Sequence, residues 1–147
     1  MLTRRAERLL PYSPEQLFDI AADVEQYPSF LHWWKAARIK RRQDDVYYTD
    51  QEVAFGPLRV RFGSKTLLHR PDRIDVTSHD SPFSDFRLSW TFERIPDAHL
   101  CRVRLATEFE LRSRLLQKVI EPLLPDVMPE VITAFQCRAA CLYTCKI

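Results

Sequence analysis

The chain has 147 residues, 46% hydrophobic and 29% charged, with a net charge of +2. This length and balance predict one folded domain over residues 1–147 and exclude a disordered chain. Two glycines, Gly56 and Gly63, stand against ten prolines, where average usage would place about ten glycines. No glycine-rich phosphate loop and no GxSxG nucleophile elbow can therefore be written.

In chain order, residues 2–11 read as a strand leading into Pro11. Ser13-Pro14-Glu15-Gln16 reads as a helix start: Ser13 caps, Pro14 suits the first turn and Gln16 completes a capping box. Leu17, Phe18, Ile20, Ala21 and Val24 follow at helical spacing, and Pro28 is expected to stop this helix near Tyr27. A short helical turn follows around 29–32. Residues 33–42 then read as a strand with Trp33, Lys35, Ala37 and Ile39 on one face. Gln43-Asp44-Asp45 turns into a strand over 46–55, with Tyr47, Val53 and Phe55 on one face. Gly56-Pro57 is the next turn signal. Leu58, Val60 and Phe62 alternate with Arg59 and Arg61 in a strand reaching about His69, and Ile74 and Val76 mark a shorter one.

Two strands alternate most cleanly. Phe86, Leu88, Trp90 and Phe92 interleave with polar residues, as do Cys101, Val103, Leu105, Thr107 and Phe109. Such alternation predicts an antiparallel sheet with one face in the core and one in water. Ser113 caps a further helical segment with Leu115, Leu116, Val119 and Ile120. Pro122, Pro125 and Pro129 interrupt it, so two helical pieces are expected, the second reaching the end of the chain. The order is strand, one or two short helices, six strands, then a long helix, an α+β arrangement in which only the last helix is long enough to cover the sheet.

Cys101, Cys137, Cys141 and Cys145 form no CxxC. A disulfide framework is not expected, and a reducing compartment fits better. The last three recur every fourth residue along one helix flank and are expected to be small core residues. The four histidines have no metal-site spacing. No apolar stretch approaches the roughly 20 residues of a membrane span, and no secretory signal is visible. A complete, cytoplasmic bacterial chain is the expectation, with peripheral contact at the inner membrane as a further one. The balance of 22 basic and 20 acidic residues predicts no DNA partner. No acid, base and nucleophile constellation is visible, so catalysis is not expected.

The candidate binding set is apolar. Phe55, Phe62, Phe83, Phe86, Leu88, Trp90, Phe92 and Phe109 from the sheet face Val119, Leu123, Val131 and Phe135 from the helix. On residues alone this is a solid core. Lys35 beside Trp33 is the sharpest single residue, because alternation points its ammonium inward, where an unpartnered charge is costly. Three readings stand for it: an internal carboxylate partner, snorkelling to a cavity mouth, or a hydrogen bond to a ligand head group.

Several stretches together resemble the coenzyme Q-binding START-domain family. They are Leu10-Pro11-Tyr12-Ser13-Pro14-Glu15-Gln16-Leu17-Phe18, Asp23-Val24, Tyr27-Pro28-Ser29-Phe30, Trp33 with Lys35, and Phe62-Gly63-Ser64-Lys65. Pro82-Phe83 ahead of Phe86, Trp90 and Phe92, and Ala134-Phe135 with Arg138-Ala139 and Leu142-Tyr143, complete the set. The resemblance implies a helix-grip fold, a seven-stranded curved antiparallel sheet wrapped around a long C-terminal helix and enclosing an apolar tunnel. It implies ubiquinone or a similar isoprenoid lipid as a bound ligand, not a redox cofactor, in support of respiratory electron transport. Bacterial relatives of the family are also likened to a ribosome-association toxin or labelled polyketide cyclase-like. A ribosome partner is thus the alternative, with Arg59, Arg61, Lys65, Arg102 and Arg104 as phosphate contacts, and a cyclase-type enzyme the weaker one. Ser81 replaces the family's usual glycine, and the three prolines depart from its unbroken helix.

Overall fold

Ser13 starts the first helix as its sequence predicts. Its hydroxyl accepts from the Gln16 amide at 3.1 Å while the Gln16 side chain accepts from the Ser13 amide at 3.0 Å, which satisfies two of the amides a helix start leaves open. In this computed structural model, which describes residues 2–55, 58–80, 82–123 and 127–144, the helix is α1, Pro14–Ala22. It ends before the expected Tyr27. A 3-10 turn, Val24–Gln26, intervenes, and Pro28 sits in the first turn of a second short helix, α2, Tyr27–Phe30. Proline is tolerated there because its missing N–H would have no helical partner. The last carbonyls of α1 are met by tyrosines instead of a glycine cap. Tyr27 donates its hydroxyl to the Ala21 carbonyl, and Tyr47 donates to that of Ala22 at 2.9 Å.

Strand β1, Leu2–Leu10, precedes α1. Six strands follow α2: β2 Trp34–Gln43, β3 Val46–Phe55, β4 Leu58–His69, β5 Arg73–Ser78, β6 Phe83–Ile95 and β7 Leu100–Leu111. They form one curved antiparallel sheet in the order β1-β7-β6-β5-β4-β3-β2. Consecutive strands are joined as neighbours, and β1 alone pairs across the chain, with β7. The polar turns hold where expected: Asp44, Asp97 and His99 adopt positive φ between β2 and β3 and between β6 and β7. The Gly56-Pro57 turn signal lies outside the described residues.

The chain closes with α3, Arg114–Ile120, a 3-10 turn, Glu121–Leu123, and α4, Val127–Ala139, which runs into a widened π turn, Ala140–Thr144. The helix is therefore in two pieces, as its prolines demand. Ser113 caps α3, accepting from the Leu116 amide at 3.2 Å. Pro122 falls in the 3-10 turn and Pro129 in the first turn of α4, where neither breaks a ladder bond. Pro125 lies outside the described residues. The gripped helix is tied to the edge strand by Arg8, whose guanidinium donates to Thr133 Oγ1 at 2.7 Å and reaches Gln136 Oε1 at 3.4 Å.

Two expectations are corrected. A register shift between Trp34 and Ala36 in β2 reverses the alternation, so Lys35 is exposed. A bulge places two residues against one and re-aims the neighbouring side chains. Cys137 and Cys141 are exposed, not core, whereas Cys101 is fully buried. They lie on the side of α4 turned away from Val131 and Phe135, the residues it buries. Cys145 lies outside the described residues.

Candidate functional site

The core divides into two clusters. One gathers Leu17, Tyr27, Leu31, Trp90 and Phe135 beneath α1, α2 and α4. The other gathers Val53, Val60, Phe62, Phe83, Phe109 and Ile120 towards α3. Between them lies a partly enclosed cavity of about 140 Å³, whose wall takes residues from both. A cavity this size matches one that accepts a benzene-sized group. It is smaller than the roughly 300 Å³ of a typical small-molecule pocket.

Strand geometry explains which side chains reach it. A register shift between Phe83 and Asp85 lets Phe83 and Phe86, three residues apart, both face inward. The two rings lie 4.9 Å apart by centroid, and Phe83 meets Phe62 edge-on at 5.4 Å. At the other end Trp90 stacks on Phe135 at 4.5 Å, and Tyr27 meets Phe135 edge-on at 5.6 Å. These offset and edge-on pairs suit the aromatic quadrupole and seat α4 against sheet and α2 together.

Eight of the candidate residues line the cavity: Phe62, Phe83, Phe86, Leu88, Trp90 and Phe109 from the sheet, with Val131 and Phe135 from α4. Phe92 is buried but belongs to the core under α1, against Phe18 at 6.2 Å. Val119 is 53% exposed, and its neighbour Ile120 lines the cavity instead. One residue on a helix is a turn of 100°, so the wrong face was chosen where helical periodicity was short. Trp33 does not line the cavity, Trp34 does, and Lys35 has no inward role, for the reason given by the β2 bulge. The side chains of Phe55 and Leu123 lie outside the described residues.

The sequence reading missed the polar part of the wall. Gln51, Thr66 and Thr107 line the cavity, and Thr49 and Ser64 are buried beside them. Gln51 Oε1 accepts from Trp34 Nε1 at 2.7 Å, and its Nε2 donates to Thr49 Oγ1 at 2.9 Å and Ser64 Oγ at 3.1 Å. The Thr107 hydroxyl donates to the Arg87 carbonyl at 3.0 Å. These groups are satisfied within the protein, as buried polar groups must be, so this part of the wall presents little unmet polarity. The signal lay in β3, where Tyr47, Thr49, Gln51 and Val53 fall on one face. Burial pushes the Tyr47 phenol up to about 12 and raises Tyr27 as well. Both stay neutral across the physiological range.

The outer face is different. Arg59 and Arg61 both pair with Glu52, Arg102 pairs with Glu7 and Glu93, and Arg104 with Glu7. The four arginines of the expected basic stripe are thus held by three glutamates of neighbouring strands, whereas Lys65 is exposed and forms no ion pair with a described carboxylate. No group of histidine, cysteine and carboxylate side chains suited to a metal occurs among the described residues. No helix of the described residues is long and apolar enough to cross a membrane.

Residues 10–136 match the family described as polyketide cyclase / dehydrase and lipid transport. The chain belongs to that family. Within this polyketide cyclase and lipid transport family the sheet and its gripped helix form the START-like, helix-grip fold. A START superfamily protein from Mycobacterium smegmatis superposes with a TM-score of 0.82 at 14% identity, covering 95% of this chain and 98% of that one. A Pseudomonas aeruginosa protein named ribosome association toxin RatA is 29% identical over 92% of this chain and 93% of its own length. A Xenopus laevis protein named mitochondrial coenzyme Q-binding protein COQ10 homolog B is 25% identical over 92% of this chain, which spans 57% of that protein.

Proposed function

We propose that this chain binds ubiquinone or a similar isoprenoid lipid, with part of its chain held in the cavity, and acts as a carrier and not as a catalyst. The carrying observation is the cavity between the two clusters, with an almost wholly apolar wall on which the uncharged polar groups Gln51 and Thr107 are hydrogen-bonded within the protein. Such a wall suits hydrocarbon and penalises a polar solute. The family's lipid-transport description and the coenzyme Q-binding relative support the same reading. The cavity's size means that only a segment of a long chain is enclosed, the rest passing outward.

The test is extraction of the protein purified from its own host, with mass spectrometry of the organic phase, joined to titration with a short-chain ubiquinone. Recovered isoprenoid lipid and saturable binding are expected. An empty extract together with no binding would overturn the reading.

A second reading, association with a ribosomal subunit, is favoured by the name of the Pseudomonas aeruginosa relative. With the outer arginines paired, the candidate contacts are Lys65 and two residues of α3. Arg114 and Lys118 lie exposed on α3, and no described carboxylate forms an ion pair with them. Co-sedimentation with subunits that fades as salt rises, and fades further in Arg114→Gln/Lys118→Gln, would support this reading. No co-sedimentation at low salt would remove it.

A further inference from the structure

One charged side chain lines the cavity among the described residues: Arg4, on the edge strand β1. Its position follows from register. Arg4 pairs with Thr107, Thr107 with Leu88, Leu88 with Val76, and Val76 with Thr66. These five form one row across the sheet, and all five line the cavity. Arg4 is the terminal residue of that row, beside a cavity wall that also takes Val127 and Met128 from the start of α4.

The guanidinium is underused. Arg4 is half-buried, and among the described residues its guanidinium has one hydrogen bond, to the carbonyl of its own neighbour, Thr3, at 2.8 Å. It forms no ion pair with any described carboxylate. Arg8, further along the same face, is by contrast latched to α4 through two side chains. The outward arginines of β4 and β7 are held by glutamates. The other polar groups of the wall already donate within the protein: Gln51 to Thr49 and Ser64, Thr107 to the Arg87 carbonyl, and Tyr27 and Tyr47 to the carbonyls of Ala21 and Ala22, while Thr66 is bonded to Tyr47. Arg4 is therefore the group on the wall with donors left to give. A guanidinium offers paired, planar N–H donors that match the two oxygens of a carboxylate or phosphate.

We propose that Arg4 receives the head group of the cavity's ligand, and that this head group is anionic: a carboxylate or phosphate on an apolar chain. The inference rests on the reading that the cavity holds an apolar chain and departs from its ubiquinone head group, since a neutral quinone carries no carboxylate or phosphate: it selects apolar chains with an oxyanion at one end. Arg4 precedes the segment matched to the family, so the assignment concerns this chain's own residues.

Matched pairs of short ligands test it, each below its micelle concentration: geranyl phosphate against geraniol, and decanoate against decanol. Titration followed by tryptophan fluorescence reads the binding, since Trp34 and Trp90 line the cavity. The anionic member of at least one pair is expected to bind tighter, by roughly ten- to a hundredfold. The pair that shows the preference identifies the source as phosphate or carboxylate. Arg4→Gln should abolish the preference by weakening the anionic member far more than geraniol or decanol, Arg4→Lys should keep part of it, and Arg8→Gln should keep all of it. Equal binding within both pairs, or a preference that survives Arg4→Gln, would overturn the role of Arg4 while the cavity reading stands. Binding of none of the four ligands would remove both.

Discussion

At Gly63 a side-chain Cβ would stand 2.7 Å from Asp80 Oδ2 and 3.3 Å from the Thr49 carbonyl. Hydrogen in place of a methyl group is what lets the Asp80 carboxylate accept the Gly63 amide at 2.8 Å, just where β5 no longer flanks β4. Gly63→Ala should push that exposed carboxylate aside and cost about 0.5–1.5 kcal/mol, the net worth of one ordinary hydrogen bond. Asp80→Ala alone should cost a similar amount, and chemical denaturation of both variants and the double variant checks whether the two effects overlap. The tyrosines carry a second prediction. Burial holds Tyr47 at about 12, against an ordinary 10.0, and raises Tyr27 too. The folded state therefore keeps these protons when the unfolded chain has lost them. Their contribution is intact below pH 10, the ordinary value, and drains away as pH rises towards 12. Burial raises Tyr143 as well, so ultraviolet titration of the folded protein should show three of the five tyrosines ionising late, and stability should fall across that alkaline window. Tyr47→Phe should flatten part of the fall.

The elements owe their ends to side chains and their faces to small register changes. In β2 and β6 a single slip decides which aromatic enters the cavity: Trp34 instead of Trp33 in the first, Phe83 as well as Phe86 in the second. On α3 the equivalent choice lies between adjacent residues, with Val119 53% exposed and Ile120 4% exposed. Ile120→Ala should therefore cost about 2–5 kcal/mol, while Val119→Ala should stay within about 0.5 kcal/mol. Thermal melts of the pair check this. A comparable loss in both would mean that α3 packs differently from the geometry described. Legibility in the sequence varied in the same way. The Ser13 and Ser113 caps and the proline breaks were readable because each acts within four residues. The faces of β2 and α3 were not, because a bulge is set by the partner strand and a seven-residue helix has too few turns to fix its phase.

For the molecule as a whole, the cavity exists because two hydrophobic clusters meet the same curved sheet without meeting each other fully. Filling that gap separates a binding cavity from a merely loose core. Val131→Phe, on the α4 face of the wall, should cost little or even stabilise, since overpacking of a filled core would instead cost about 1–3 kcal/mol. It should also weaken binding of short-chain ubiquinone or geraniol. A destabilised variant that still binds normally would place the ligand elsewhere. The overall architecture was legible beforehand: seven strands, two early helices and a broken closing helix are written in local periodicity and punctuation, and eight of the candidate residues do line the cavity.

The sequence by itself determined the alternating strands, the capped helix starts and the aromatic character of the inner face, because each depends on neighbours a few residues apart. It also excluded phosphate loops, since two glycines cannot build one. The tertiary structure alone decided that Lys35 is outside and Trp34 inside, that the arginines of the basic stripe are paired with glutamates, and that Gln51, Thr49 and Ser64 satisfy one another. It alone brought Arg4 into line with Thr107, 103 positions on, through the pairing of the first strand with the seventh. Cross-strand register and long-range pairing depend on bulges and on packing against distant elements, and neither is written in any short stretch of the chain.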